Sequence, residues 1–161
     1  MKIFIASDHA GFKLKEDLKQ IVANQGFEVK DFGAFSNAEN DDYPDFIKPL
    51  AGELSTLITS GELDIKGIII GGSGQGEAIC ANRFKGIRAV VFNGQYAPRD
   101  GREVPDEIVI SREHNDANIL SLGARFIDLE EASEAVLKWL RTSFNNEERH
   151  LRRINKIDGT N

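Results

Sequence analysis

Short runs of apolar residues alternate along this chain with longer stretches in which apolar positions recur every three or four residues. Residues 2–6 (KIFIA) form the first such run, ending at Ser7, Asp8 and Gly11. Phe12, Leu14, Leu18, Ile21 and Val22 follow at helical spacing, with Gly26 as the stop. Phe27 to Phe32 reads as a second strand closed by Gly33, and a polar loop leads to Asp42-Tyr43-Pro44-Asp45. Pro44 suits the first turn of a helix, where its missing N–H has no intrahelical acceptor to lose. That helix carries Ile47, Leu50, Ala51, Leu54, Leu57 and Ile58 on one face and ends near Gly61. Gly67 then opens a run of three isoleucines, Ile68 to Ile70, which predicts a strand buried on both faces. A glycine-rich loop, a helix through Asn82 and a strand at Ile87 to Phe92 come next.

Asn93 to Ser111 is expected to be irregular, because Pro98, Gly101 and Pro105 break any long element. Arg112 to Phe126 supplies a short helix and a fifth strand around Ile119 to Leu122. Two helices close the chain: one from about Leu129 to Phe144, with Ala132, Val136, Trp139 and Leu140 inward, and one carrying a basic cluster. Five strands alternating with helices predict an α/β fold, a Rossmann-like three-layer sandwich with a five-stranded parallel sheet. With 161 residues, no internal repeat and no low-complexity linker, residues 1–161 read as a single domain.

Composition narrows the function classes. Apolar residues at 40% are too many for a disordered chain. A net charge of −6 argues against a nucleic-acid partner, whose phosphate backbone needs a basic face. No apolar run approaches membrane-spanning length, and Asp8 and His9 interrupt the N-terminal run before it reaches that of a signal peptide, so no membrane role is expected. The lone Cys80 excludes an intramolecular disulfide and a cysteine-rich metal site and fits a reducing compartment, so the cytoplasm is the expected location. One basic segment stands out from this acidic background: Glu147 to Lys156 gathers Arg149, His150, Arg152, Arg153 and Lys156, either an anion site or a solvated face.

In parallel sheets ligands collect at the carboxyl ends of the strands, here Ser7-Asp8-His9 after the first strand and Gly71 to Glu77 after the isoleucine strand. The sequence GGSGQG places four glycines in six residues, so its N–H groups can turn toward an anion or a developing oxyanion, unless the loop is simply a tight turn. Nucleotide fingerprints fail: no Lys-Ser/Thr pair follows, and the third glycine of the dinucleotide pattern falls on Glu77. The serine-hydrolase elbow fails as well, with Gln75 at its last glycine position. Glu77 either caps the following helix or removes a proton alpha to a carbonyl while the loop holds the enediolate oxygen. Asp8, His9 and His114 are conceivable metal ligands, but they lack the i, i+4 spacing of a helical zinc motif, and no metal is expected.

Taken jointly, SDHAGF at 7–12, DYPD at 42–45, GGSGQGEAICANR at 71–83, GIRAV at 86–90, REHNDANILSLGAR at 112–125 and RHLRRI at 149–154 resemble the ribose 5-phosphate isomerase B and galactose 6-phosphate isomerase family. The motifs run in the family's order across nearly the whole chain. The resemblance implies an aldose–ketose isomerase of the pentose phosphate pathway that needs no cofactor, metal or nucleotide. It also implies a homodimer or tetramer whose active sites combine the loops of one chain with basic residues of its partner.

By the same resemblance, Glu77 is the base that shuttles a proton between C2 and C1 through a cis-enediolate. Ser73 and the backbone N–H groups of Gly74, Gln75 and Gly76, beside Gly72, hold the oxygen that becomes negative. His114 opens the sugar ring with Asp8 as partner, Asn115 and Tyr43 meet sugar hydroxyls, and Arg149 and Arg153, helped by His9, His150 and Arg125, bind the phosphate. Another subgroup carries a cysteine base where this chain has Gly71, so Cys80 does not inherit that role. The segment Tyr96 to Ser111 is longer than usual for the family and adjoins His114. Two other readings stay open: isomerisation of a hexose 6-phosphate or tetrose 4-phosphate, and a non-catalytic sugar-phosphate binding module. A module gains nothing from a carboxylate beside an anionic ligand, which separates it from an enzyme.

Overall fold

The computed structural model describes residues 1–96, 101 and 106–159. Its elements are β1 (Lys2–Ser7), α1 (Phe12–Asn24), β2 (Glu28–Asp31), α2 (Pro44–Thr59), β3 (Ile65–Gly71), α3 (Gln75–Ala81), β4 (Ala89–Phe92), α4 (Glu107–Glu113), β5 (Ile119–Gly123), α5 (Leu129–Arg141) and α6 (Glu148–Asp158). The five strands are parallel in the order β2-β1-β3-β5-β4. The expected three-layer α/β sandwich is therefore present.

Alternation within the strands builds the two outer layers. Ile3, Ile5, Ile68, Ile70, Leu120 and Leu122 face α1, α4 and α5, where they meet Leu18, Val22, Val136 and Trp139. Phe4, Ala6, Ile69 and Ile119 point the other way onto Ile47, Leu50 and Leu54 of α2 and Ala81 of α3. The three isoleucines of β3 are fully buried because successive residues enter opposite cores. The strand order reverses between β1 and β3, so the loops after these two strands part and leave a crevice at their carboxyl ends.

Strand ends shift by two residues, β3 beginning at Ile65 and β4 at Ala89, and two helices differ more from the sequence reading. The segment expected to be irregular through Ser111 already contains α4, because Asp106 caps it: the carboxylate accepts from the N–H groups of Ile108 at 2.9 Å and Val109 at 3.3 Å. Pro98 and Pro105 lie outside the described residues. Helix α5 stops at Arg141 instead of reaching Phe144, because Thr142 turns extended and its hydroxyl donates back to the Lys138 carbonyl. The freed residues connect α5 to α6. No helix among the described residues is long and apolar enough to cross a membrane.

Candidate active site

Strand β1 ends in Ser7 and delivers Asp8, which is 8% exposed and accepts a hydrogen bond from the Gly11 N–H at 3.1 Å. Strand β3 ends in Gly71 and runs into the glycine loop, where Gly74 takes the left-handed conformation (φ 72°) that starts α3. Glu77 then falls in the first turn of α3, and its side chain folds back under the strand end. A Cβ on Gly71 would lie 1.8 Å from Glu77 Oε1, so the carboxylate fills the place where a side chain at position 71 would begin. Neighbouring glycines make room in the same way, Gly72 for the Arg125 guanidinium and Gly76 for the Tyr43 ring.

Glu77 is 4% exposed. Burial raises its pKa above the ordinary carboxylate value and the nearby Asp8 carboxylate adds to the rise, while a hydrogen bond from its own N–H opposes both. A carboxylate poised in this way releases and accepts protons closer to neutrality than a solvated one. Cys80 lies on the same helix, half-buried, and burial raises its thiol pKa, so it stays protonated.

Two residues absent from the sequence reading fix the loop. Asn93, at the end of β4, donates from Nδ2 to the Ser73 carbonyl at 3.0 Å, and Ser121 of β5 donates from Oγ to the Gly74 carbonyl at 2.6 Å. With these carbonyls held, the N–H groups of the first turn of α3, which have no intrahelical acceptors, present a donor surface. Asn93 could have been found by the rule that polar residues at strand carboxyl ends build sites. Ser121 could not, because it lies within a buried strand.

Asp41 is the third addition. Its Oδ1 accepts from the His9 N–H at 3.1 Å and lies 2.5 Å from His9 Nδ1, which fixes the ring and leaves Nε2 for another partner. The hydrogen bond to Asp41 raises the His9 pKa above 6.5; Asp8 adds to the rise, while burial and Arg125 oppose it. His9 is therefore cationic below its ordinary value and loses that charge only as pH climbs through the raised one. Ligand atoms of Asp8, His9 and Asp41 lie within 4.8 Å of one another. His114, the third residue of the metal set considered from sequence, is not among them.

The remaining expected residues collect elsewhere. His114 and Asn115 follow α4, and the Asn115 carbonyl accepts from Nε of Arg88, which immediately precedes β4. They therefore sit at the amino ends of β4 and β5, roughly 15 Å along the strand direction from the glycine loop for a strand of this length. The His114 ring stacks on His150 of α6, with centroids 4.4 Å apart and planes within 10°. His150 is buried, and burial, followed by His114 and Arg149, holds its pKa below 6.5, so it backs His114 as a neutral ring. Arg149, paired with Glu147 at 2.7 Å, and Arg153 are exposed on the same helix.

A family model described as Ribose/Galactose Isomerase matches residues 3–157. The chain belongs to the ribose/galactose isomerase family. Ribose-5-phosphate isomerase B of Escherichia coli (strain K12) is 37% identical over 156 residues, covering 97% of this chain and 93% of that protein. A putative sugar phosphate isomerase of Bacillus subtilis (strain 168) is also 37% identical, over 98% of this chain and 95% of its own length. The crystal structure of ribose-5-phosphate isomerase B from Mycoplasma genitalium with bound ribulose-5-phosphate superposes with a TM-score of 0.85 at 34% identity, covering 98% of this chain and 94% of that one. The match to this isomerase family spans both residue clusters, the one around Glu77 and the one around His114.

Proposed function

We propose that this chain is a cytoplasmic aldose–ketose isomerase that interconverts ribose 5-phosphate and ribulose 5-phosphate, with Glu77 as the base. The observation that carries the reading is the Glu77 carboxylate, buried beneath Gly71 with a raised pKa and set beside the N–H groups of the glycine loop. In the open-chain aldose, Glu77 takes the C2 proton as the C1–C2 double bond forms and the carbonyl oxygen becomes negative. Ser73 and the N–H groups of Gly74, Gln75 and Gly76 hold that oxygen in the cis-enediolate. Glu77 returns the proton to C1 while the C2 hydroxyl passes its proton to the O1 oxyanion, which leaves a ketone at C2 and a hydroxyl at C1. Arg125, against Gly72, and His9 receive the phosphate, and no metal or nucleotide takes part. Turnover of ribose 5-phosphate in metal-free buffer, with allose 6-phosphate and galactose 6-phosphate in parallel, tests the assignment. The pentose is expected to win by kcat/KM, and a hexose winning would reassign the substrate.

The site is shared between two copies of the chain. Within one chain Glu77 and His114 lie at opposite ends of the sheet, too far apart to act on one small sugar. Large apolar side chains surround the glycine-loop end, namely Phe35, Ile79, Tyr96 and Phe126, and Leu151 and Ile157 stand exposed on α6 among its arginines. A two-fold dimer that brings the second group against the first covers both and delivers His114, Asn115, Arg149 and Arg153 to the partner's Glu77. Mixing makes this testable. Glu77→Gln and His114→Ala chains, each impaired alone, are expected to regain roughly a quarter of the wild-type activity when unfolded and refolded together, since half the dimers then hold one intact site. No recovery would count against the shared site.

The pair His9–Asp41 gives a second expectation. Asp41→Asn removes the group that keeps His9 charged, so the imidazolium is lost at a lower pH than in the wild type. KM for ribose 5-phosphate is expected to match the wild type below pH 6.5 and to rise roughly three- to tenfold above it at pH 7.5, the span for losing one charged hydrogen bond. A KM against pH that follows the wild type throughout would exclude His9 from the phosphate site.

A further inference from the structure

The amino ends of the strands carry a second polar cleft that the proposed reaction does not use. It measures about 460 Å³, and its walls include Ile58, Leu63, Leu140 and Phe144 together with the cations Lys66 and Arg112. The acidic groups here are already matched. Asp64 pairs with the N-terminal ammonium at 2.7 Å, and Asp116 pairs with Arg88 at 2.9 Å and with Arg112 at 2.8 Å. Arg112 is anchored further through Nε to the Thr142 carbonyl and through Nη1 to the Ala117 carbonyl, so its Nη2 meets no described acceptor. Lys66, half-buried in β3, forms no hydrogen bond or ion pair among the described residues.

A cation withdrawn from water is costly unless a counter-charge accompanies it. Burial lowers the Lys66 pKa and Arg112 lowers it further, with Asp116 and Asp64 opposing. The cleft thus holds an ammonium with no ion-pair partner among the described residues and, on the Asp116-paired Arg112, an Nη2 donor with no described acceptor, beside apolar walls that accept a carbon skeleton. An ammonium and a guanidinium on one anion are the pairing that phosphate groups favour.

We propose that this cleft is a binding site for a small phosphorylated compound, held by Lys66 and Arg112 and separate from the site around Glu77. Calorimetric titration of the wild type with inorganic phosphate is expected to show one site more per chain than the Lys66→Met variant, or a site weakened about tenfold in that variant. Phenyl phosphate is expected to bind the Lys66 site more tightly than inorganic phosphate, because its ring meets the apolar wall. Lys66 lies at the opposite end of β3 from the loop that carries Glu77 and is not among the residues the dimer delivers to the partner's Glu77, so the variant is expected to keep the wild-type kcat and KM, which also separates failure here from failure of the isomerase reading. Equal stoichiometry and affinity in the wild type and Lys66→Met would overturn the proposal.

A second measurement stands apart from that variant. After reductive methylation with labelled formaldehyde, the Lys66 resonance, identified by its absence in Lys66→Arg, is expected to titrate below the other lysines and to shift when phosphate is added. A resonance indifferent to phosphate would also overturn the proposal.

Discussion

Glu77→Gln is expected to lower kcat by roughly 10²- to 10⁴-fold while KM for ribose 5-phosphate changes little, the usual consequence of removing a positioned general base. Glutamine keeps the length and shape that fill the space under Gly71, so the loop and its N–H donors stay where they are. What disappears is the capacity to take a proton. The pH profile supplies an independent check. A raised carboxylate pKa means that wild-type kcat/KM falls on the acid side at a pH above the ordinary carboxylate value of 4.5, because only the ionised form acts as a base. The residual rate of the glutamine variant should lack that limb. Comparing kcat/KM with pH for both proteins, by following ribulose formation, tests both statements. Full activity in the variant would remove Glu77 from the mechanism.

Gly71→Ala is expected to lower kcat about 10²-fold with little loss of fold, the scale on which a displacement of about 1 Å reduces a positioned reaction. Gly71 lies in a strand outside the left-handed region, so alanine suits its backbone. The new methyl nevertheless begins 1.8 Å from Glu77 Oε1 and 2.2 Å from Cδ, and the carboxylate has to move. The same clash accounts for the alternative arrangement the family resemblance implies. A cysteine base at position 71 and a glutamate base at position 77 compete for one volume, so a chain has room for one of them. Gly71→Cys alone is therefore not expected to install a working cysteine, because Glu77 remains in its place. Thermal unfolding alongside the kinetics separates the readings. An unchanged melting temperature with lowered kcat fits displacement of the base, whereas wild-type kcat would mean that Glu77 does not occupy this position during turnover.

Much of this was legible in the chain itself. The isoleucine run announced a strand buried on both faces, and the helical spacing of Ile47, Leu50, Ala51 and Leu54 announced the face that covers it. The glycine loop with Glu77 three residues past its αL residue could be placed at a strand's carboxyl end from periodicity alone. Local rules gave these features because each depends on side chains a few residues apart. The start of α4 was readable too, since an aspartate before an apolar run is an N-cap signal, but the prolines upstream hid it.

Other features came only with the fold. Asp41 grips His9 across 32 residues, Ser121 reaches Gly74 across 47, and the burial that raises the Glu77 pKa depends on β1, β3 and the loop meeting at one point. The separation of His114 from Glu77 is the clearest case. Periodicity placed Glu77 at a strand's carboxyl end, but the irregular reading of the segment before His114 left open which end of the sheet that residue joins. Chain composition and periodicity determined the layers, the core and the place of the glycine loop at a strand's carboxyl end. The strand order and the direction of α4 decided which groups share a cleft, because contacts between distant segments are set by packing the whole chain at once.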